Sequence, residues 1–143
     1  MKTFTLDEAQ SLLPVVESLL NRAIEAKEAA GGLQEEIGDL ARRIFVTGGM
    51  FIDLAAQQKR RIALEALVQR AKESLEEIDS IGVQVKDLDT GLLDFPCILE
   101  GETVLLCWKR GEPRIEFWHR IEDGFAGRQP IDARFGMPPE KLN

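Results

Sequence analysis

The chain has 143 residues, a hydrophobic fraction of 44%, a charged fraction of 30% and a formal net charge of −7. These values describe one globular domain, or a helical module with a small β module attached. An acidic chain repels phosphate backbones, and no apolar run approaches the ~20 residues that span a bilayer, so neither nucleic acid nor a membrane is expected as a partner. The start, MKTFTLDEAQ, lacks the apolar core of a secretory signal. With two cysteines and no export signal, the expected setting is the cytoplasm with both thiols reduced.

The first helix is expected from about Leu6 to Val46. Thr5 can cap it and Glu8 can reach back to the Thr5 amide, forming a capping box. An apolar seam follows at Ala9, Leu12, Val16, Leu19, Ala23, Ala26, Ala30, Leu33, Ile37, Leu40 and Ile44, with the three-four spacing of a coiled coil. Gly31 and Gly32 fall off the seam and do not change its phase, so the helix is expected to pass through them. Pro14 removes one backbone donor inside it.

A turn is expected at residues 47–50, TGGM, and a second helix from about Phe51 to Ser80. Its apolar positions include Ile52, Ala56, Ile62, Ala63, Leu67, Ala71, Leu75 and Ile78. The basic run at residues 57–61, QQKRR, interrupts them and is expected to face Glu35, Glu36 and Asp39. Helix 1 is longer than helix 2, which leaves Leu6, Leu12, Leu13, Val15 and Val16 to meet the β module. Leu13, Leu20 and Ile24 widen the stripe. Two accounts stand: an added contact with the β module, or a homodimer whose two hairpins form a four-helix bundle.

After Ile81 and Gly82, residues 83–85 read as a short strand and residues 86–91 as a loop. Strands are expected at 92–99, 102–108 and 114–119, joined at Glu100-Gly101 and at residues 110–113. If Lys109 opposes Arg114, an apolar face carries Phe95, Cys97, Leu99, Val104, Leu106, Trp108, Ile115, Phe117 and, at its end, His119. The other face carries Asp94, Ile98, Leu105, Cys107, Arg114, Glu116 and Trp118. Asp94, Cys107 and Glu116 then lie side by side, Cys97 and Cys107 cannot bond, and Cys107 is out of reach of His119. A slip of one residue would dissolve that cluster. The expected fold is α+β: a long antiparallel helical hairpin (1–80), a small antiparallel β-meander (81–133) and a loosely held tail (134–143).

The candidate ligand-binding residues are Asp94, Glu116, Trp118, His119 and Arg128. His119 suits acid–base work or metal ligation, against the plainer role of a structural hydrogen-bonder. Trp118 on the mixed face suits an exposed stacking platform. Gly124, Gly127 and Arg128 could present amides and a guanidinium to an anion, or simply form a tight loop. His119, Glu116, Asp123, Asp94 and Cys107 include metal-ligating types, but no pair has the spacing of a zinc knuckle or of HExxH, so no metal site is assigned. Asp87, Asp89 and Gly91 echo a calcium loop, yet the twelfth position is Ile98 instead of Glu. No cofactor or catalytic residue is assigned.

FTLDEAQSLLP, GVQVKDLDTGLLDFP, LCWKRGE, IEFWH and GFAGRQPI, together with the helical hairpin, resemble the bacterial family known as domain of unknown function 2203. The resemblance runs from Phe4 to about Ile131 and implies no activity. Two functional readings follow. The first is a non-catalytic, dimerising interaction or scaffold protein. The second is a protein that binds a small molecule, anion or metal on the β module, possibly as an enzyme.

Overall fold

The computed structural model describes residues 1–46, 48 and 53–136. Helix α1 spans Leu6–Val46 and α2 spans Leu54–Ile81. Five strands follow: β1 Gln84–Asp87, β2 Leu92–Leu99, β3 Glu102–Lys109, β4 Phe117–Arg120 and β5 Gln129–Pro130. They form one antiparallel sheet in the order β1-β2-β3-β4-β5, a meander after a helix pair, as the sequence predicts. The expected turn at 47–50 lies outside the described residues except for Gly48, and so do the expected starting residues of helix 2, Phe51 and Ile52. Among the described residues no helix is long and apolar enough to cross a membrane.

The chain divides into two compact units, one of residues 1–20 with 75 onward and one of residues 21–74. In the second unit α1 continues through Gly31 and Gly32 without a break. Ala23, Ala26 and Ala30 are buried and Leu33, Ile37, Leu40 and Ile44 half-buried, so the seam keeps its phase. On α2 the inward series is Gln57, Arg60, Leu64, Leu67, Ala71, Ser74 and Ile78. That series also alternates three and four residues. Within the basic run only Gln57 and Arg60 are half-buried, while Gln58, Lys59 and Arg61 are exposed, as are Ile62 and Ala63, which were expected inside. Arg60 hydrogen-bonds Gln57 one turn earlier, and its long aliphatic stem suits a half-buried position. Asp39, expected opposite the basic run, pairs with Arg42 on its own helix.

In the first unit the predicted capping box forms. The Thr5 amide donates to Glu8 Oε1 at 2.8 Å and the Glu8 amide to Thr5 Oγ1 at 3.1 Å. The start of α1 is tied to the sheet. The Phe4 amide donates to the Pro96 carbonyl at 2.7 Å, and the Phe4 ring meets Phe95 edge-on at 5.9 Å. Gln10 grips Ile115 from α1: its amide nitrogen donates to the Ile115 carbonyl and its amide oxygen accepts the Ile115 N–H, both at 3.0 Å. Leu13 and Leu20, which widen the stripe of α1, are buried, as is Ile24 in the second unit.

The β2–β3 hairpin has the expected register, with Leu99 opposite Glu102. Glu100 and Gly101 have φ of 52° and 80°, the two positive angles that a two-residue hairpin turn requires. The second hairpin departs from expectation by one residue: Cys107 opposes Phe117, not Glu116. The connection explains this. The Glu112 amide bonds the Lys109 carbonyl, Glu112 Oε1 accepts the Lys109 N–H, and the Trp108 indole donates to the Glu112 carbonyl at 3.0 Å. Ile115 then spends both backbone groups on Gln10, so pairing with β3 resumes only at Phe117.

Residues 122–131, expected as a loop, contain a 3₁₀ turn at Phe125–Gly127 and the short edge strand β5, whose Gln129 and Pro130 oppose Trp118 and Phe117. Arg134 and Phe135, expected in the tail, pack on the sheet. The Phe135 and Trp118 rings lie 5.5 Å apart, and Arg134 bridges Asp132 at 2.8 Å and Glu100 at 3.1 Å.

Candidate metal centre

Strand parity sets the site. Successive side chains of a strand point to opposite faces. Asp94 opposes Cys107, Cys107 opposes Phe117 and Leu105 opposes His119. One face of the sheet therefore carries Asp94 and Pro96 from β2, Leu105 and Cys107 from β3, and Phe117 and His119 from β4. The one-residue shift removes Glu116 from this face and brings His119 to it. This corrects the expectation that Cys107 and His119 lie on opposite faces. It also sends Trp118 to the other face, with Leu106 and Trp108, where it is buried and cannot be an exposed stacking platform.

Asp94, Cys107 and His119 are each at most 3% exposed. One ligand atom from each, a carboxylate oxygen, the thiol sulfur and an imidazole nitrogen, lies within 4.8 Å of the other two. His119 Nε2 is 3.2 Å from Asp94 Oδ1, reaching diagonally across β3. His119 Nδ1 is 2.7 Å from the Arg120 carbonyl. A carbonyl oxygen only accepts, so the proton sits on Nδ1 and Nε2 is the atom presented to Asp94. Two arrangements satisfy this contact. Either one proton lies between Nε2 and Asp94 Oδ1, carried by the ring or by the carboxyl, or the Nε2 lone pair and the carboxylate share a cation.

Cys107 lies beside them. Burial first, and then the Asp94 carboxylate, push its thiol up to about 12, against a smaller opposing pull from Arg128. The thiol is thus kept protonated and donates toward Asp94, and alone it is a poor nucleophile. Cys97 is buried on the opposite face with its thiol also raised by burial, and both cysteines are free, as their register requires.

Glu116 contacts Arg114 at 3.5 Å, and its carbonyl accepts the Ile131 N–H at 2.9 Å. Arg128 donates from one terminal nitrogen to both Glu112 carboxylate oxygens, at 2.7 and 2.9 Å, and to the Cys107 carbonyl at 3.3 Å. Its guanidinium stacks between Phe117 at 4.1 Å and Phe125 at 4.7 Å. Arg128 is therefore engaged by Glu112 instead of being held out toward an anion. Asp87 accepts from the Asp89 and Thr90 amides, the plain Asx turn that the calcium alternative had to displace. Glu112 and Gln10 were not anticipated as organisers of the site. Gln10 is a polar residue just off an apolar seam, and nothing in its local sequence marks its partner.

A family model described as an uncharacterized conserved protein (DUF2203) matches residues 2–131. The chain belongs to that family. No curated protein and no solved structure matches it. Membership agrees with the order of motifs along the β half and brings no reaction with it.

Proposed function

We propose that the protein binds a divalent transition-metal ion of the zinc class through Asp94 Oδ1, Cys107 Sγ and His119 Nε2. The observation that carries this reading is the convergence of three different ligand types, within 4.8 Å, on a buried patch of sheet. Thiolate, imidazole and carboxylate are the zinc ligand set, at bond lengths of about 2.0–2.3 Å. The Nδ1–H bond to the Arg120 carbonyl supports it, because metal-ligating histidines characteristically spend the other ring N–H in this way. Three protein ligands leave the fourth tetrahedral position to water or a small anion. Binding exchanges the Cys107 proton for the ion, so apparent affinity rises about tenfold per pH unit for that proton alone. The site lies on the β module, as the second of the two sequence-based readings requires.

The competing arrangement is a structural network in which Asp94 accepts from the Cys107 thiol and a protonated His119. The closeness of the Cys107 thiol to Asp94, which helps to keep the thiol protonated, favours it specifically. Titration of metal-free protein with Co²⁺ separates the two. Metal binding gives one equivalent per chain and a thiolate-to-cobalt charge-transfer band that Cys107→Ser abolishes. A network gives no band, and its loss in Asp94→Asn changes stability alone. A homodimer remains a separate proposal, decided by sedimentation equilibrium.

A further inference from the structure

We propose that Gln84 is a positioning residue of the metal centre, its side-chain amide donating a hydrogen bond to the Asp94 carboxylate once the ion is bound. The inference rests on the metal reading above. Strand β1 pairs with β2 so that Gln84 stands directly opposite Asp94. Opposed residues share a face of the sheet, with Cβ atoms about 4.5–5.5 Å apart. Gln84, Asp94, Cys107 and Phe117 therefore form one row across β1 to β4, on the face that also holds His119. The irregularity in the β1–β2 pairing falls between Val85 and Asp87, beyond Gln84. Gln84 is half-buried at the outer end of the row, and Asp94 is buried next to it.

The donors available to Asp94 change when the ion binds. Without metal, a proton lies between Asp94 Oδ1 and His119 Nε2 at 3.2 Å, and the Cys107 thiol lies beside the same carboxylate. Loading the site gives the Nε2 lone pair and the thiolate sulfur to the ion, so both hydrogens leave. One Asp94 oxygen gains the ion in exchange. The other stays anionic and buried, which is costly without a donor. On this face its neighbours Leu92, Pro96 and Leu105 carry no side-chain donor. Arg128, stacked on Phe117 at the far end of the row, is held by Glu112. Gln84 has two amide hydrogens and stands next to Asp94. Carboxylates that ligate metals are held in this way, and losing such a partner costs about 10–100-fold in affinity. In the metal-free protein the same amide is dispensable, because the shared proton and the thiol already serve Asp94.

The test is cobalt titration of the full chain against a chelator of known affinity, for the unsubstituted protein, Gln84→Met and Gln84→Leu. Both variants keep an apolar stem and lose the amide. Lys86→Met, exposed on the same strand, is the control. Each Gln84 variant should bind cobalt about 10–100-fold more weakly. Each should keep the thiolate-to-cobalt band at saturation, because Cys107 still ligates, and should unfold in urea at an unchanged midpoint when metal-free. Lys86→Met should bind as the unsubstituted chain does. Unchanged cobalt affinity in both Gln84 variants overturns this proposal and leaves the metal reading standing. An equal loss in Lys86→Met overturns it too. So does a fall in the metal-free midpoint as large as the fall measured with cobalt, since Gln84 would then merely pack the strand. Loss of the band at saturation also overturns it. Absence of cobalt binding by the unsubstituted chain ends the metal reading, and this proposal with it.

Discussion

Replacing Gln10 with Ala tests why His119 stands beside Asp94. The Gln10 amide makes two 3.0 Å hydrogen bonds to the backbone of Ile115, a residue only 2% exposed. Removing it deletes two bonds worth about 1 kcal/mol each and leaves a buried N–H and a buried C=O unpaired, at about 1–3 kcal/mol each if nothing replaces them. Partial rescue by water brings the expected loss to about 2–4 kcal/mol. Gln10→Glu should fall between, because a carboxylate still accepts the Ile115 N–H but cannot donate to its carbonyl. The assay is urea unfolding followed by tryptophan fluorescence, which reports the sheet because Trp108 and Trp118 lie on β3 and β4. The midpoint should drop with little change in slope. A loss under 0.5 kcal/mol for Gln10→Ala, on the order of an ordinary surface substitution, would refute the claim that Gln10 pins the connection and sets the β4 register.

Two further outcomes follow from the same geometry. Arg128→Ala should cost about 2–3 kcal/mol, because it strands the Glu112 carboxylate, 21% exposed, that also holds the Lys109 amide; thermal unfolding of that variant beside Glu112→Gln measures it, and a neutral effect would contradict the clamp. In the metal-free protein the Cys107 thiol, pushed up to about 12 in the fold, ionises more readily once the chain is unfolded, so the unfolded state holds fewer protons in alkali. The stability from keeping this thiol neutral is fully present below the unfolded value of 9.0 and is lost as pH rises toward about 12. Urea midpoints measured upward from neutrality should therefore fall in alkali, and Cys107→Ser should flatten that part of the decline.

The helical half was legible because its signals are local and repeated. The α1 seam fixes the helix through Gly31 and Gly32, and Thr5 with Glu8 fixes its start. The β2–β3 register was legible because Glu100-Gly101 admits the backbone angles of a tight turn and little else. The β4 register was not. Phe117 and Trp118 are adjacent aromatics, so alternation places either one inward, and the choice is made by Gln10, 105 residues away from Ile115 in the chain. Five candidate site residues were named; Asp94 and His119 meet, while Glu116, Trp118 and Arg128 turn to other partners. Asp94 and Cys107 lie side by side as the β2–β3 register predicts, and His119, expected on the other face, joins them through the same slip in place of Glu116. Strand β5 was hidden because it is two residues long and ends in Pro130, which can donate no ladder bond.

X-ray absorption at the zinc edge of the zinc-loaded protein reads directly whether Asp94, Cys107 and His119 hold the ion. The expected spectrum has one sulfur neighbour at about 2.3 Å and nitrogen or oxygen neighbours at about 2.0–2.1 Å, with the sulfur lost in Cys107→Ser. A shell of oxygen and nitrogen alone in the unsubstituted protein, or a sulfur that survives Cys107→Ser, would contradict it.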